Sequence, residues 1–151
     1  VQFDIEGAVV LDLFAGSGQL GIEALSRGAR YAVFVESGRK QADVIEENIR
    51  FTKFEEESLL LKMDVLAGIS RLEGKYTFDL LFLDPPYASG AEKSALTFLS
   101  HSSIVKPEAL IIVEAARDTD FSYLPELGLS LRREKLYKTN KHVFIEKEGE
   151  L

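Results

Sequence analysis

Apolar positions along this chain recur in two alternating rhythms. Residues 8–14, 31–36, 58–63, 78–83 and 109–115 are short, nearly continuous apolar runs, as strands covered on both faces should be. Between them, residues 19–27, 39–51, 65–72 and 91–100 carry apolar residues at helical spacing. In the first of these, Leu20, Ala24 and Leu25 are expected to face inward. In the second, Ala42, Ile45 and Ile49 share one face, opposite Glu46, Glu47 and Arg50. Strands separated by helices predict an α/β fold with a mainly parallel sheet and helices on both faces. The end of the chain breaks the rhythm. Residues 129–137 and 142–147 read as strands joined only by Lys138, Thr139, Asn140 and Lys141. So short a link cannot make a parallel crossover, so the two runs are expected to pair as a C-terminal antiparallel hairpin.

Composition narrows the class. A chain of 151 residues, 46% hydrophobic, is expected to form a single domain over 1–151. No apolar stretch approaches membrane-spanning length, and the first 25 residues lack the basic head and apolar run of a signal peptide. No membrane partner is expected, and the cytoplasm is the default location. The chain opens on Val1 and reaches strand-like sequence within ten residues, so an upstream segment is expected to precede it. The absence of cysteine excludes disulfides and thiolate metal sites. With only His101 and His142, a histidine-rich metal cluster is excluded too, and each is expected at the surface. The net charge is −7, yet residues 130–147 hold six basic residues (Arg132, Arg133, Lys135, Lys138, Lys141, Lys147) against Glu134 and Glu146. That strip suits docking on phosphate, and equally an ordinary solvated hairpin.

The first strand runs into Leu11-Asp12-Leu13-Phe14-Ala15-Gly16-Ser17-Gly18-Gln19-Leu20-Gly21, a G-x-G-x-x-G between a strand and a helix, and Glu36 ends the next strand. This is the pattern of a loop approached closely by an adenosine-bearing ligand, with an acid for its ribose hydroxyls. Asp12 distinguishes the ligands. A pyrophosphate would be repelled by a carboxylate at this turn, which is the argument against a nicotinamide-dependent oxidoreductase. S-adenosylmethionine brings a sulfonium and an ammonium that a carboxylate favours, while loop N–H groups and the helix N-terminus take its carboxylate. Asp12 is also suited to bonding backbone N–H groups of the turn. Asp64, after the third strand, is placed to accept from an adenine amino group with Val65 beside the ring, or to cap the helix that follows.

The fourth strand ends abruptly at Leu83-Asp84-Pro85-Pro86-Tyr87. Proline cannot donate to a ladder and keeps the preceding residue extended, so the strand tip becomes a stiff corner. Asp84 and the Pro85 carbonyl are then fixed acceptors and Tyr87 a stacking face, a receptor for a planar amine such as a flipped nucleobase. The plainer alternative is a rigid turn with Tyr87 as packing.

Taken together, residues 9–29, Phe34-Val35-Glu36, 82–87, 110–114 and the closing 131–148 resemble the RsmD type of small-subunit ribosomal RNA guanine-N2 methyltransferase. The resemblance implies a Rossmann-like class I methyltransferase fold, S-adenosylmethionine as donor, and methylation of a guanine amino group in 16S rRNA or a small ribosomal subunit assembly intermediate. By the same resemblance, Asp12, Gly16 and Gly18, with Phe14, Ala15 and Ser17, would hold the methionine part. Glu36 would hold the ribose, Asp64 and Val65 the adenine, and Asp84, Pro85, Pro86 and Tyr87 the target base. The resemblance also implies a basic segment upstream of the first strand, which is expected to precede Val1. An adenine- or cytosine-amino DNA methyltransferase shares the corner, but usually carries a target-recognition domain for which this length leaves no room.

Overall fold

The computed structural model describes residues 4–149. The elements run β1 (Val9–Leu13), α1 (Gln19–Ser26), β2 (Tyr31–Val35), α2 (Arg39–Thr52), β3 (Ser58–Leu61), α3 (Val65–Leu72), β4 (Phe78–Leu83), α4 (Ala91–Ser100), β5 (Val105–Ala116), β6 (Leu129–Leu136) and β7 (Asn140–Lys147). Single 3₁₀ turns precede β3 and β6. One seven-stranded sheet has the order β3-β2-β1-β4-β5-β7-β6. Its first five strands are parallel, and β7 lies antiparallel between β5 and β6. This is a Rossmann-like sheet closing on an antiparallel hairpin, as the sequence predicts.

Successive side chains point to opposite faces, and both faces are apolar. Leu11, Leu13, Val33, Val35, Leu81, Leu83, Ile111 and Val113 pack with Ile69 and Leu72 of α3 and Leu96 and Leu99 of α4. Val10, Ala32, Phe34, Leu80 and Leu110 pack with Ala24 and Leu25 of α1 and Ile45 and Ile49 of α2. Phe34 is fully buried, and burying one such ring contributes about 2–3 kcal/mol. Its ring also dictates the sequence of α1. A Cβ on Gly21 would collide with it, so only glycine lets the helix approach β2 this closely.

Three expectations are corrected. Leu20 does not face inward: it is 44% exposed, because Gly21, Ala24 and Leu25 form the buried stripe of a helix only eight residues long. The fifth strand starts at Val105 rather than 109, because Val105 pairs with Phe78 ahead of a register shift. Asn140 and Lys141 belong to β7 rather than to the hairpin link. Lys141 is 5% exposed, its Nζ donating to the Thr119 carbonyl (2.8 Å) and to Glu134 (3.2 Å), so it leaves the solvated basic strip. No helix among the described residues is long and apolar enough to cross a membrane.

Candidate active site

From β1 the chain moves outward through β2 to β3, then returns to the other side of β1 as β4. The loops leaving β1 and β4 therefore diverge, opening a crevice at the carboxyl ends of the strands where ligands of such sheets bind. The glycine loop and the Asp84 corner are these two loops.

The glycine loop is held from all sides before any ligand arrives. Phe14 takes a left-handed conformation (φ 58°), uncommon for a residue with a side chain, and turns the chain out of β1. The Ala15 N–H then donates to the Val35 carbonyl (3.1 Å), and the Gly18 N–H to the Ala15 carbonyl (2.8 Å). Gly18 caps α1 at φ 80°. Asn48 of α2, which the sequence reading did not single out, donates from Nδ2 to the Ser17 carbonyl (3.0 Å).

Two carboxylates secure the loop from below. Glu36 accepts from the Gly16 N–H through Oε1 (2.7 Å) and from the Gly38 N–H through Oε2 (2.8 Å). Asp12 is 1% exposed and accepts from the Gly21 N–H (3.1 Å), the turn-bonding role foreseen beside its ligand role. Burial pushes its carboxyl up to about 8, against the pull of the Gly21 N–H; the Asp84 and Glu36 charges push the same way. Asp64 caps α3, accepting from the Ala67 N–H (3.0 Å), and places buried Val65 at the first helical position.

Across the crevice, Asp84, Pro85, Pro86 and Tyr87 line a cleft of about 80 Å³ with Ala88, Glu92, Glu114, Ala115, Ala116, Thr119 and Asn140. The Pro86 carbonyl accepts from Ser89 Oγ (2.7 Å), whereas the Pro85 carbonyl has no such partner among the described residues. The Tyr87 ring is 74% exposed, its hydroxyl donating over a long 3.4 Å to the Thr139 carbonyl. It does not serve as core packing. Asp84 is exposed at the cleft. Desolvation by the cleft, then the adjacent Glu114 carboxyl, raise it to about 6, while His142 opposes the rise.

Glu114 and His142 are the residues that sequence reasoning passed over. His142, expected at the surface as an isolated histidine, is half-buried, with Nε2 3.1 Å from Glu114 Oε1. The one signal was an acid, Glu114, inside the otherwise apolar run 109–115. Its partner on β7 is not visible without the pairing of β5 with β7.

The structure thus brings Asp12, the glycine loop and Glu36 together through direct hydrogen bonds, with Asp84 near enough for its charge to act on Asp12. Asp64 stands apart, at the end of β3.

Comparison with known proteins agrees with this arrangement. Residues 1–146 match the family model described as "Conserved hypothetical protein 95". The chain is 36% identical to Ribosomal RNA small subunit methyltransferase D of Haemophilus influenzae over 72% of its own length and 56% of that protein. It is 33% identical to the Escherichia coli protein of the same name over 87% of its length and 65% of that protein, so it spans less than two thirds of either relative. The solved structure of a conserved hypothetical protein from Streptococcus pyogenes is 36% identical, with a TM-score of 0.83 over 95% of this chain and 88% of that one. Glycine loop, proline corner and terminal hairpin thus fall within one continuous family match, and the chain belongs to the conserved hypothetical protein 95 family, the RsmD family whose motifs it carries.

Proposed function

We propose that this chain is the donor-binding and catalytic domain of a cytoplasmic S-adenosylmethionine-dependent RNA methyltransferase. Its target is the exocyclic N2 amino group of one guanine in bacterial 16S rRNA, free or within a small-subunit assembly intermediate. The observation that carries the reading is the meeting of the glycine loop and the Asp84 corner at one crevice. The names of the two ribosomal RNA methyltransferases to which the chain is similar favour the same substrate class.

The residues present fit the donor. The Gly16 N–H that a pyrophosphate would need is already taken by Glu36, and Asp12 and Asp84 stand close by. Such a set favours a sulfonium and an ammonium and opposes a dianion. When bound, S-adenosylmethionine supplies a methyl group on a positively charged sulfur. Phe14, Ala15, Gly16, Ser17 and Gly18, with Asp12 beneath, would hold its amino-acid end, and the free N–H groups at the start of α1 would take its carboxylate. Glu36 would accept from the ribose hydroxyls. Asp64 would accept from the adenine amino group through the oxygen that does not cap α3, with Val65 against the ring.

On the other side, Asp84 and the Pro85 carbonyl accept from the guanine amino group while Tyr87 stacks on the base. That fixes the nitrogen and its lone pair, and positioning is the larger part of what methyl transfer requires. The Asp84 carboxylate also stabilises positive charge developing on that nitrogen.

Calorimetric titration of the full-length protein with S-adenosylhomocysteine and with NAD⁺, alongside methylation of small ribosomal subunits by Asp84→Ala, tests the proposal. S-adenosylhomocysteine alone should bind, and the variant should keep that affinity while losing transfer. Binding of NAD⁺ instead, or near-normal turnover by the variant, would overturn it.

A further inference from the structure

Asp84 and the Pro85 carbonyl suffice to hold an amino group, yet the cleft also carries the carboxyl groups of Glu92 and Glu114, and Glu114 is the one that neighbours Asp84 in the sheet. Leu83 pairs with Val113, and Glu114 with His142. One residue beyond Leu83, Asp84 therefore stands beside Glu114, and the three residues form a row across β4, β5 and β7. Both side chains line the one cleft. Behind Glu114, His142 holds Oε1 at 3.1 Å, and the Tyr137 ring lies 4.7 Å from the imidazole. The Glu114 side chain keeps 40% of its surface exposed and lines the same cleft as the proline corner. A residue meant only to tie β5 to β7 would have no need to face that cleft.

The chemistry of the bases gives this second acceptor a use. On its Watson–Crick edge guanine presents two neighbouring donors, the ring N1–H and the N2 amino group. Adenine and cytosine each present an amino group beside a ring nitrogen that accepts. A carboxylate facing N1–H gains a hydrogen bond, whereas one facing a ring acceptor is left desolvated and repelled. Sites built to bond a donor reject analogues lacking it far more strongly than shape alone allows.

We propose that Glu114 determines the choice of guanine, its carboxylate accepting the ring N1–H while Asp84 takes the amino group. His142 is the positioning residue that aims Glu114 into the cleft. This inference rests on the methyltransferase reading above and adds to it the residue that selects the base.

The test uses 2-aminopurine, which keeps the 2-amino group but has a bare acceptor at N1. The guanine that the full-length wild-type enzyme methylates in small ribosomal subunits is first mapped. Subunits are then reconstituted with 16S RNA carrying guanine or 2-aminopurine at that position. Wild type should show kcat/KM at least 100-fold lower for 2-aminopurine. Glu114→Gln, whose amide can donate to N1, should shrink that ratio at least tenfold, lower the rate on guanine, and bind S-adenosylhomocysteine within twofold of wild type. Equal use of both bases by wild type would overturn the proposal without needing any variant. So would an unchanged ratio in Glu114→Gln. Failure of wild type to methylate any guanine would instead overturn the reading on which the inference rests.

Discussion

Replacing Asp12 by Asn should stabilise the protein and weaken donor binding, and both effects should depend on pH. Asp12 is buried beneath the glycine loop with one backbone donor, and its carboxyl is raised from 3.8 to about 8. The folded state therefore holds a proton that the unfolded chain releases near pH 4. The stability linked to that proton is fully present below pH 4 and is lost as pH rises through 8. A rise of this size corresponds to an upper bound of ~6 kcal/mol, reduced by whatever loop opening and water entry relieve the charge. Asn has no proton to lose, and its amide oxygen can keep the Gly21 bond. Urea unfolding between pH 5 and 9 should show the variant gaining on wild type as pH rises, with an advantage of at least ~1 kcal/mol at pH 8. Binding should respond in the opposite sense. A cationic ligand favours the ionised form, so wild type should release a proton on binding S-adenosylmethionine at pH 7, and the variant should bind more weakly without that release. Calorimetry in buffers of different ionisation enthalpy counts the proton. Parallel stability profiles for the two proteins would refute the argument that burial of Asp12 opposes folding at alkaline pH. Equal donor affinities would remove Asp12 from the binding site.

Asp84, raised to about 6, must be ionised to stabilise positive charge developing on the amine; the methylation rate under subsaturating RNA should rise with pH through about 6 and then level off. A rate that falls across that window would exclude the carboxylate role. Gly21→Ala drives a methyl group into the Phe34 ring and should cost about 1–3 kcal/mol in denaturant unfolding. A neutral result would mean that α1 can move off β2. In the hairpin, Arg132 is paired with Glu146 (2.8 Å), while Arg133 and Lys135 lie over the Phe144 and Tyr137 rings. Arg133→Ala with Lys135→Ala should lower RNA affinity and flatten its dependence on log salt by roughly one to two phosphate contacts. An unchanged slope would leave the hairpin as scaffold.

The fold was largely legible in local pattern. Near-continuous apolar runs alternating with helical stripes can only be strands buried on both faces between helices, and a short link at the end admits only a hairpin. The glycine loop and the proline corner were legible for a related reason: both are backbone devices marked by glycine and proline at telling spacings, although Phe14 also takes a left-handed turn that no glycine announces. What a side chain meets, however, depends on which strands become neighbours. Val9 lies beside Asp79 because β1 and β4 adjoin, and Asp79 Oδ2 accepts from its N–H at 2.8 Å across 70 residues of chain. Leu20 fits an inward stripe on paper but turns outward once Phe34 admits only Gly21 at the contact. Lys141 reads as one more solvated cation until packing encloses it beside Thr119 and Glu134. Asp12, Glu36 and Asp64 were recognisable as acids at strand ends, but their bonds to Gly21, to Gly16 and Gly38, and to Ala67 are decided by how the loops close. Glu114 and His142 are the furthest case. Each is unremarkable alone, and they become a pair beside the proline corner only because β7 returns antiparallel alongside β5. Periodicity and turn chemistry are properties of adjacent residues, so the chain carries them in one dimension. Contacts between strands distant in sequence exist only after the sheet has chosen its order.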